Sequence, residues 1–190
     1  MQYLIADIET TGLSKDYDDI LEFSFLVMDN KLTKVLDRGV LFFYHPEQRD
    51  SHPKAFEVHG ITKEFLKPYE GDFNANMRKM CKLVAKSNFI GFNSESFDVK
   101  FIQSYLTRFG YGLVQINANI DIMKVYTPIF GRTSLTKLMG HLKITDDIVK
   151  TLLRHYFAGY YFKEMSHNAA YDVIETMIAA AEALKEGYFA

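Results

Sequence analysis

The sequence holds one cysteine, four prolines and no tryptophan in 190 residues. A lone thiol, Cys81, excludes an intramolecular disulfide and a cysteine-built zinc cage within one chain. It sits at an apolar position of an expected helix and reads as a core residue. No stretch approaches the ~18 consecutive apolar residues of a membrane span. The opening Met1-Gln2-Tyr3-Leu4-Ile5-Ala6-Asp7 has no basic n-region and too short an apolar run for a secretion signal. A cytoplasmic protein without a membrane partner is therefore expected. An excess of positive charge is missing too: 22 Lys and Arg against 24 Asp and Glu leave a net −2. A protein that coats nucleic acid by charge alone would be basic, so the balance disfavours a pure binding module. It does not disfavour a carboxylate-rich metal site, where bound cations reverse the local sign.

What is plentiful is aromatic: 16 Phe and 12 Tyr, enough to fill much of a core, with rings to spare for stacking on bases. The length suits one domain over residues 1–190, large enough to bury a core without covalent staples. The hydrophobic pattern predicts an α/β fold. Residues 2–8 form a nearly continuous apolar run, the mark of a central buried strand. Alternation at Leu21, Phe23, Phe25 and Val27 predicts a second strand. Residues 34–44 predict a third, antiparallel to the second because the link at Asp29-Asn30 is short. Residues 45–71 read as a long surface connection with a helical turn near 55–59. Helical spacing of Phe73, Met77, Met80 and Val84 follows, then a short strand at residues 89–92 and a helix through Phe101, Ile102 and Tyr105. A fifth strand is expected at residues 119–122, helices near 135–142 and 148–157, and a last helix bearing Ala170, Val173, Ile174 and Met177. Three antiparallel strands followed by alternating helix and strand give a mixed sheet covered by helices.

Three groups of residues stand out chemically. Asp7 and Glu9 lie two apart on the first strand, so both side chains share one sheet face and repel unless a cation sits between them. They are otherwise solvated acids at a strand end. The turn Thr10-Thr11-Gly12-Leu13 that follows lets a substrate backbone approach closely. Asp98 follows a short strand in Gly91-Phe92-Asn93-Ser94-Glu95-Ser96-Phe97-Asp98; taken alone it suits a helix start, where an acid complements the dipole. His167 and Asp172 are five apart at the head of the last helix. They converge only if His167 precedes the helix and Asp172 lies one turn inside, with Ser166 or Asn168 as cap.

Read together as Asp-x-Glu-Thr-x-Gly, Asn-x-x-x-Phe-Asp and His-Asn-Ala-x-x-Asp, these segments resemble the three exonuclease motifs of the DnaQ-like (DEDDh) 3′→5′ exonuclease family. The likeness runs from Tyr3 to about Ile178. Val58-His59-Gly60-Ile61-Thr62 and Asp121 followed by Leu135-Thr136-Lys137-Leu138 add to it. A sister branch has Tyr four residues before the final Asp, where this chain has Asn168. The middle motif has three residues between Asn93 and Phe97 where many members have two, a spacing similar to freestanding single-strand exonucleases. The resemblance implies an RNase H-like five-stranded sheet, three strands antiparallel and two parallel, flanked by helices. It implies two divalent cations, Mg²⁺ or Mn²⁺, on Asp7, Glu9, Asp98 and Asp172, an oxygen-only donor set suited to hard ions. Two such ions neutralise transition-state charge and assist both attacking and leaving oxygens. His167 is implied as general base. The 3′ nucleotide would lie over Thr10, Thr11, Gly12 and Leu13, with His59 and Asn93 as further substrate contacts. His59 reads equally well as a helix-end cap. Tyr160 and Tyr161, before the base, would form a lid or simply a packed loop. The implied partner is a nucleic acid with a free 3′ end, DNA favoured over RNA. A polymerase partner would be needed for proofreading, since no polymerase domain is present. RNA trimming, and a catalytically inactive binding module, are the competing readings.

An unperturbed imidazole has a pKa of about 6.5 and accepts protons only above it. Activity at saturating metal should therefore rise from pH 6 to 8.5 in steady-state assays. A flat profile over that range would exclude His167 as the base.

Overall fold

The structure, a computed structural model, describes residues 2–85, 87–160 and 168–189. His167 and Tyr161 lie outside the described residues. Five strands form one sheet in the order β3-β2-β1-β4-β5: β1 Gln2–Thr10, β2 Ile20–Asp29, β3 Val35–Phe42, β4 Asn88–Gly91 and β5 Ala118–Asp121. β1, β2 and β3 pair antiparallel, and β4 and β5 add on parallel to β1. Helices α1 Pro53–His59, α2 Lys63–Leu66, α3 Phe73–Val84, α4 Asp98–Arg108, α5 Ile122–Phe130, α6 Leu135–His141, α7 Asp146–Tyr156 and α8 Ala169–Lys185 surround it. The expected mixed sheet, three strands antiparallel and two parallel, is what forms.

β1 is apolar on both faces because each face meets a different core. Tyr3 and Ile5 enter one core with Leu26, Met28, Val40 and the buried sides of α6, α7 and α8. Leu4, Ala6 and Ile8 enter the other with Phe23, Phe25, α3 and α4. Period-two alternation thus fixes the register: a slip by one residue would exchange the two cores. Asp7 and Glu9 continue the row of Tyr3 and Ile5. Small residues Ala169, Ala170, Ala179, Ala180 and Ala183, all buried, let α8 lie close beneath the sheet.

Some expectations need correction. β1 runs two residues past the expected end, through Glu9 and Thr10, with a bulge where its pairing to β2 shifts. Residues 45–71 hold α1, α2 and a 3₁₀ turn at Lys67–Asp72, with Ile61 and Leu66 buried beneath. These elements are too short to show a hydrophobic period and are set by caps: Nδ1 of His52 accepts from the N–H of Lys54, and Oγ1 of Thr62 from Phe65. α5 was not expected at all. It buries Ile122 and Tyr126, one turn apart, but is only nine residues long and carries Pro128, which breaks most helix interiors. Cys81 is only partly buried, and His45, expected in solvent, packs edge-on against Phe73 and Phe109.

Ile5 is fully enclosed at the centre of β1. Truncation to Ala should cost about 2–5 kcal/mol in chemical denaturation.

Candidate active site

The parallel ladder between β1 and β4 covers only Tyr3 to Ile5 against Asn88 to Ile90. Beyond it the chain after β4 turns away, which opens a crevice at the carboxyl ends of the strands, the usual ligand position in α/β sheets. Asp7 and Glu9 project there from β1, opposite Ser24 and Glu22 of β2. The loop after β4 closes the other side. Gly91 starts it: a Cβ here would stand 2.6 Å from that of Ser94. Asn93 adopts a left-handed φ of 60°. The loop ends at Asp98, the first residue of α4 and 3% exposed. The main-chain N–H groups of Asp98 itself and of Ile8 on β1 bear on its carboxylate and favour the charged form. The fourth acid, Asp172, lies in the first turn of α8, and its N–H donates to the carbonyl of Asn168 at the N-cap position.

These four carboxylates, from three distant segments, line one cleft of about 180 Å³ with Ile8, Val58, Phe92, Asn93 and Phe97. Burial is the first reason that Asp7's carboxyl is held well above the usual carboxylate range; the charges of Asp98, Asp172, Glu9 and Glu22 add to it. Burial likewise pushes Asp98 up to about 7, against the pull of its two main-chain donors and with the charges of Asp121 and Asp172 adding to the rise. Among the described residues, no three His, Cys, Asp or Glu side chains close into a ready-made cage for an ion. The donor chemistry nevertheless fits divalent cations: a dense set of buried oxygen donors whose repulsion a cation would relieve.

Two further acids went unnoticed in the sequence. Glu22, 1% exposed, opposes Glu9 and accepts from the hydroxyl of Ser24 at 2.7 Å. Glu175, 3% exposed and one turn past Asp172, is pushed up to about 8 by burial and then by the charges of Asp172 and Asp146. Neither position is marked by its period: Glu22 lies on the opposite phase to Leu21, Phe23, Phe25 and Val27, and Glu175 lies off the stripe of Ala170, Val173, Ile174 and Met177.

Of the expected substrate contacts, only Asn93 reaches the cleft wall, and its Oδ1 is buried without a partner among the described residues. Thr10, Thr11, Gly12, Leu13 and His59 do not line this cleft. The two threonine hydroxyls fasten the turn itself: Thr10 donates to the carbonyl of Gly12 at 2.6 Å, and Thr11 accepts the N–H of Asp19 at 2.8 Å. Gly12 is required because a Cβ would meet the Asp18 carboxylate at 2.5 Å. Leu13 stands at the turn's tip, 85% exposed. Behind the turn, Asp19 is buried and accepts from Arg108 at 2.7 Å and from the N–H of Arg49 at 3.0 Å, with His45 at 3.4 Å. Burial alone would raise its carboxyl, but these partners hold it below the ordinary range. His59 caps the end of α1: its Nδ1 accepts the N–H of Ile61 at 2.9 Å. Its neighbour Val58 supplies the cleft wall instead. Tyr160 donates to the carbonyl of Arg38 on β3.

A sheet of this topology, with paired acids at the end of its central strand and two more brought in by helix starts, defines a nucleic-acid-processing class. A model of the RNase T exonuclease family matches residues 4–180, and the chain belongs to that family, among the DnaQ-like 3′→5′ exonucleases of the RNase H-like superfamily. Similar proteins include the DNA polymerase III subunit epsilon of Rickettsia prowazekii, 31% identical over 152 residues, which are 77% of this chain and 64% of that subunit. They also include the PolC-type DNA polymerase III of Ureaplasma parvum, 30% identical over 65% of this chain and 8% of that protein. The chain thus spans less than two thirds of the length of these relatives. In fold it is similar to the zinc-bound form of an E. coli exonuclease I complex with single-stranded DNA, with TM-score 0.73 and 18% identity over 98% of this chain and 41% of that one. Among the described residues no helix is long and apolar enough to cross a membrane.

A carboxyl whose folded pKa is raised favours the folded state below its unfolded pKa and loses that contribution as pH rises through the folded value. For Asp98 the loss spans about pH 4 to 7; Asp7 shifts in the same direction. Metal-free protein should therefore melt at higher temperature at pH 5.5 than at pH 8. Mg²⁺ or Mn²⁺ should raise Tm more at pH 8, where binding displaces fewer protons. Scanning calorimetry at both pH values checks this; an ion-induced gain equal at the two would refute it.

Proposed function

We propose that residues 1–190 act as one exonuclease domain that hydrolyses phosphodiester bonds from the 3′ end of DNA, single strands above all, and releases nucleoside 5′-monophosphates. The observation that carries this reading is the convergence of Asp7, Glu9, Asp98 and Asp172 on one cleft. Two divalent cations, Mg²⁺ or Mn²⁺, would be held by these acids and would supply charge neutralisation and activation of the attacking water. The chain's own residues do the rest. The apolar walls Val58, Phe92 and Phe97 enclose the terminal nucleoside and thin the water around the reacting phosphate. Asn93 offers its buried Oδ1 to a hydroxyl or amino donor of that nucleotide. Leu13, exposed on its pinned turn, packs against a base. His167 takes the proton of the attacking water, acting from the residue just before the α8 cap.

DNA is favoured because the relatives are named as DNA polymerase subunits and the structural neighbour holds single-stranded DNA. The same names support a cytoplasmic setting. They also support a second role: epsilon is a subunit of a polymerase, so this domain would proofread if a polymerase partner recruits it. RNA trimming remains the competing chemistry on the same site.

A 5′-labelled single-stranded DNA with Mg²⁺ should give a descending ladder that EDTA abolishes. Asp7→Ala should lose more than about a hundredfold in kcat, and His167→Ala about 10²–10⁴-fold. Matched DNA and RNA, single- and double-stranded, rank the substrates. Tight oligonucleotide binding with no ladder at any metal concentration would leave only an inactive binding module.

A further inference from the structure

Asp121 ends β5, is 4% exposed, and has no part in the chemistry above. Its carboxylate accepts three main-chain N–H groups. Oδ1 takes those of Asn93 at 2.9 Å and Met123 at 3.1 Å, and Oδ2 takes that of Glu95 at 3.2 Å. Hydrogen bonds to a charged acceptor are about twice as strong as neutral ones. Two of the three belong to the loop between β4 and α4, and the third to the start of α5.

The loop's own main-chain bonds are local: the N–H groups of Ser96 and Phe97 donate to the carbonyl of Asn93, and that of Val99 to the carbonyl of Ser94. Asn93 is a non-glycine residue in the left-handed region, a conformation that persists only when its surroundings impose it. α4 starts at Phe97 without a side-chain cap. Two other side-chain ties reach the loop: Ser94 Oγ donates to Asn119 Oδ1 of β5 at 3.0 Å, and Lys124 of α5 pairs with the Glu95 carboxylate at 2.6 Å. Between these ties the loop delivers Asn93 and Asp98 to the cleft wall. Asp121 thus ties the loop that leads to Asp98 to the far edge of the sheet.

We propose that Asp121 is a positioning residue that holds Asn93 and Asp98 in register with Asp7, and so governs how tightly the cleft takes a divalent ion and a 3′ nucleotide while touching neither. This rests on the exonuclease reading. The rival is a residue that stabilises the fold alone, which would lower Tm and leave ion affinity unchanged.

Wild type, Asp7→Ala, Asp121→Ala and Asp121→Asn decide the matter by Mn²⁺ titration calorimetry without DNA, oligonucleotide kinetics and amide hydrogen exchange. Asp121→Ala should weaken Mn²⁺ binding and raise KM for the oligonucleotide about tenfold, the scale of lost support behind a ligand. It should also speed exchange at Asn93 and Glu95. Asp121→Asn keeps one acceptor oxygen and should fall between. Wild-type Mn²⁺ affinity and KM in Asp121→Ala, whatever its Tm, would overturn the proposal. If that variant does not fold, Asp121→Asn decides: faster exchange at both amides with weaker Mn²⁺ binding supports it, and wild-type affinity overturns it. An inactive wild type, or a fully active Asp7→Ala, sinks the exonuclease reading instead; an active wild type, an inactive Asp7→Ala and an unaltered Asp121→Ala sink only the positioning role.

Discussion

Like charges held together out of water are the constraint that organises this molecule. Asp98 is enclosed and Asp7 half-buried, and Glu9, Glu22 and Asp172 bear on the same space. Such an arrangement costs folding free energy that the cores on either face of the sheet must offset. It persists because each acid is fixed by an element with other reasons to stay: β1 by its two-faced burial, α4 by its packing in the second core, α8 by its bed of alanines under the sheet. The strain of crowding is thereby stored where a cation would release it.

Two buried aspartates outside the cleft work as fasteners around this centre. Asp121 binds the loop that leads to Asp98. Asp19 binds the turn after β1, through Arg108 at the far end of the same α4 that begins with Asp98. One helix thus sets both the acid on one side of the cleft and the anchoring of the turn on the other. Main-chain and side-chain donors on these carboxylates convert flexible connections into rigid mounts.

The sheet was legible because its signals are local: a continuous apolar run in β1, alternation in β2 and the short turn that joins β2 to β3. The four acids were legible by resemblance, and their shared cleft agrees with the one-face geometry of Asp7 and Glu9. What escaped was whatever depends on contacts distant in sequence. Glu22 and Glu175 carry no local mark of burial. α5 hid behind its short length and Pro128. The hydroxyls of Thr10 and Thr11 bond to Gly12 and Asp19, a use visible only once the turn is folded. His45 drew no notice because its partners, Asp19, Phe73 and Phe109, lie 26 or more residues away.

The acids are far apart along the chain: Asp7 comes from the first strand, Asp172 from α8. A ribosome delivers the sheet long before it delivers the helix that covers the Tyr3–Ile5 face. Until α8 docks, that face stays greasy and bare, and the quartet of acids is one short. Completion of the acidic cleft therefore goes together with the closing of the hydrophobic interior, and an unfinished chain lacks the full set.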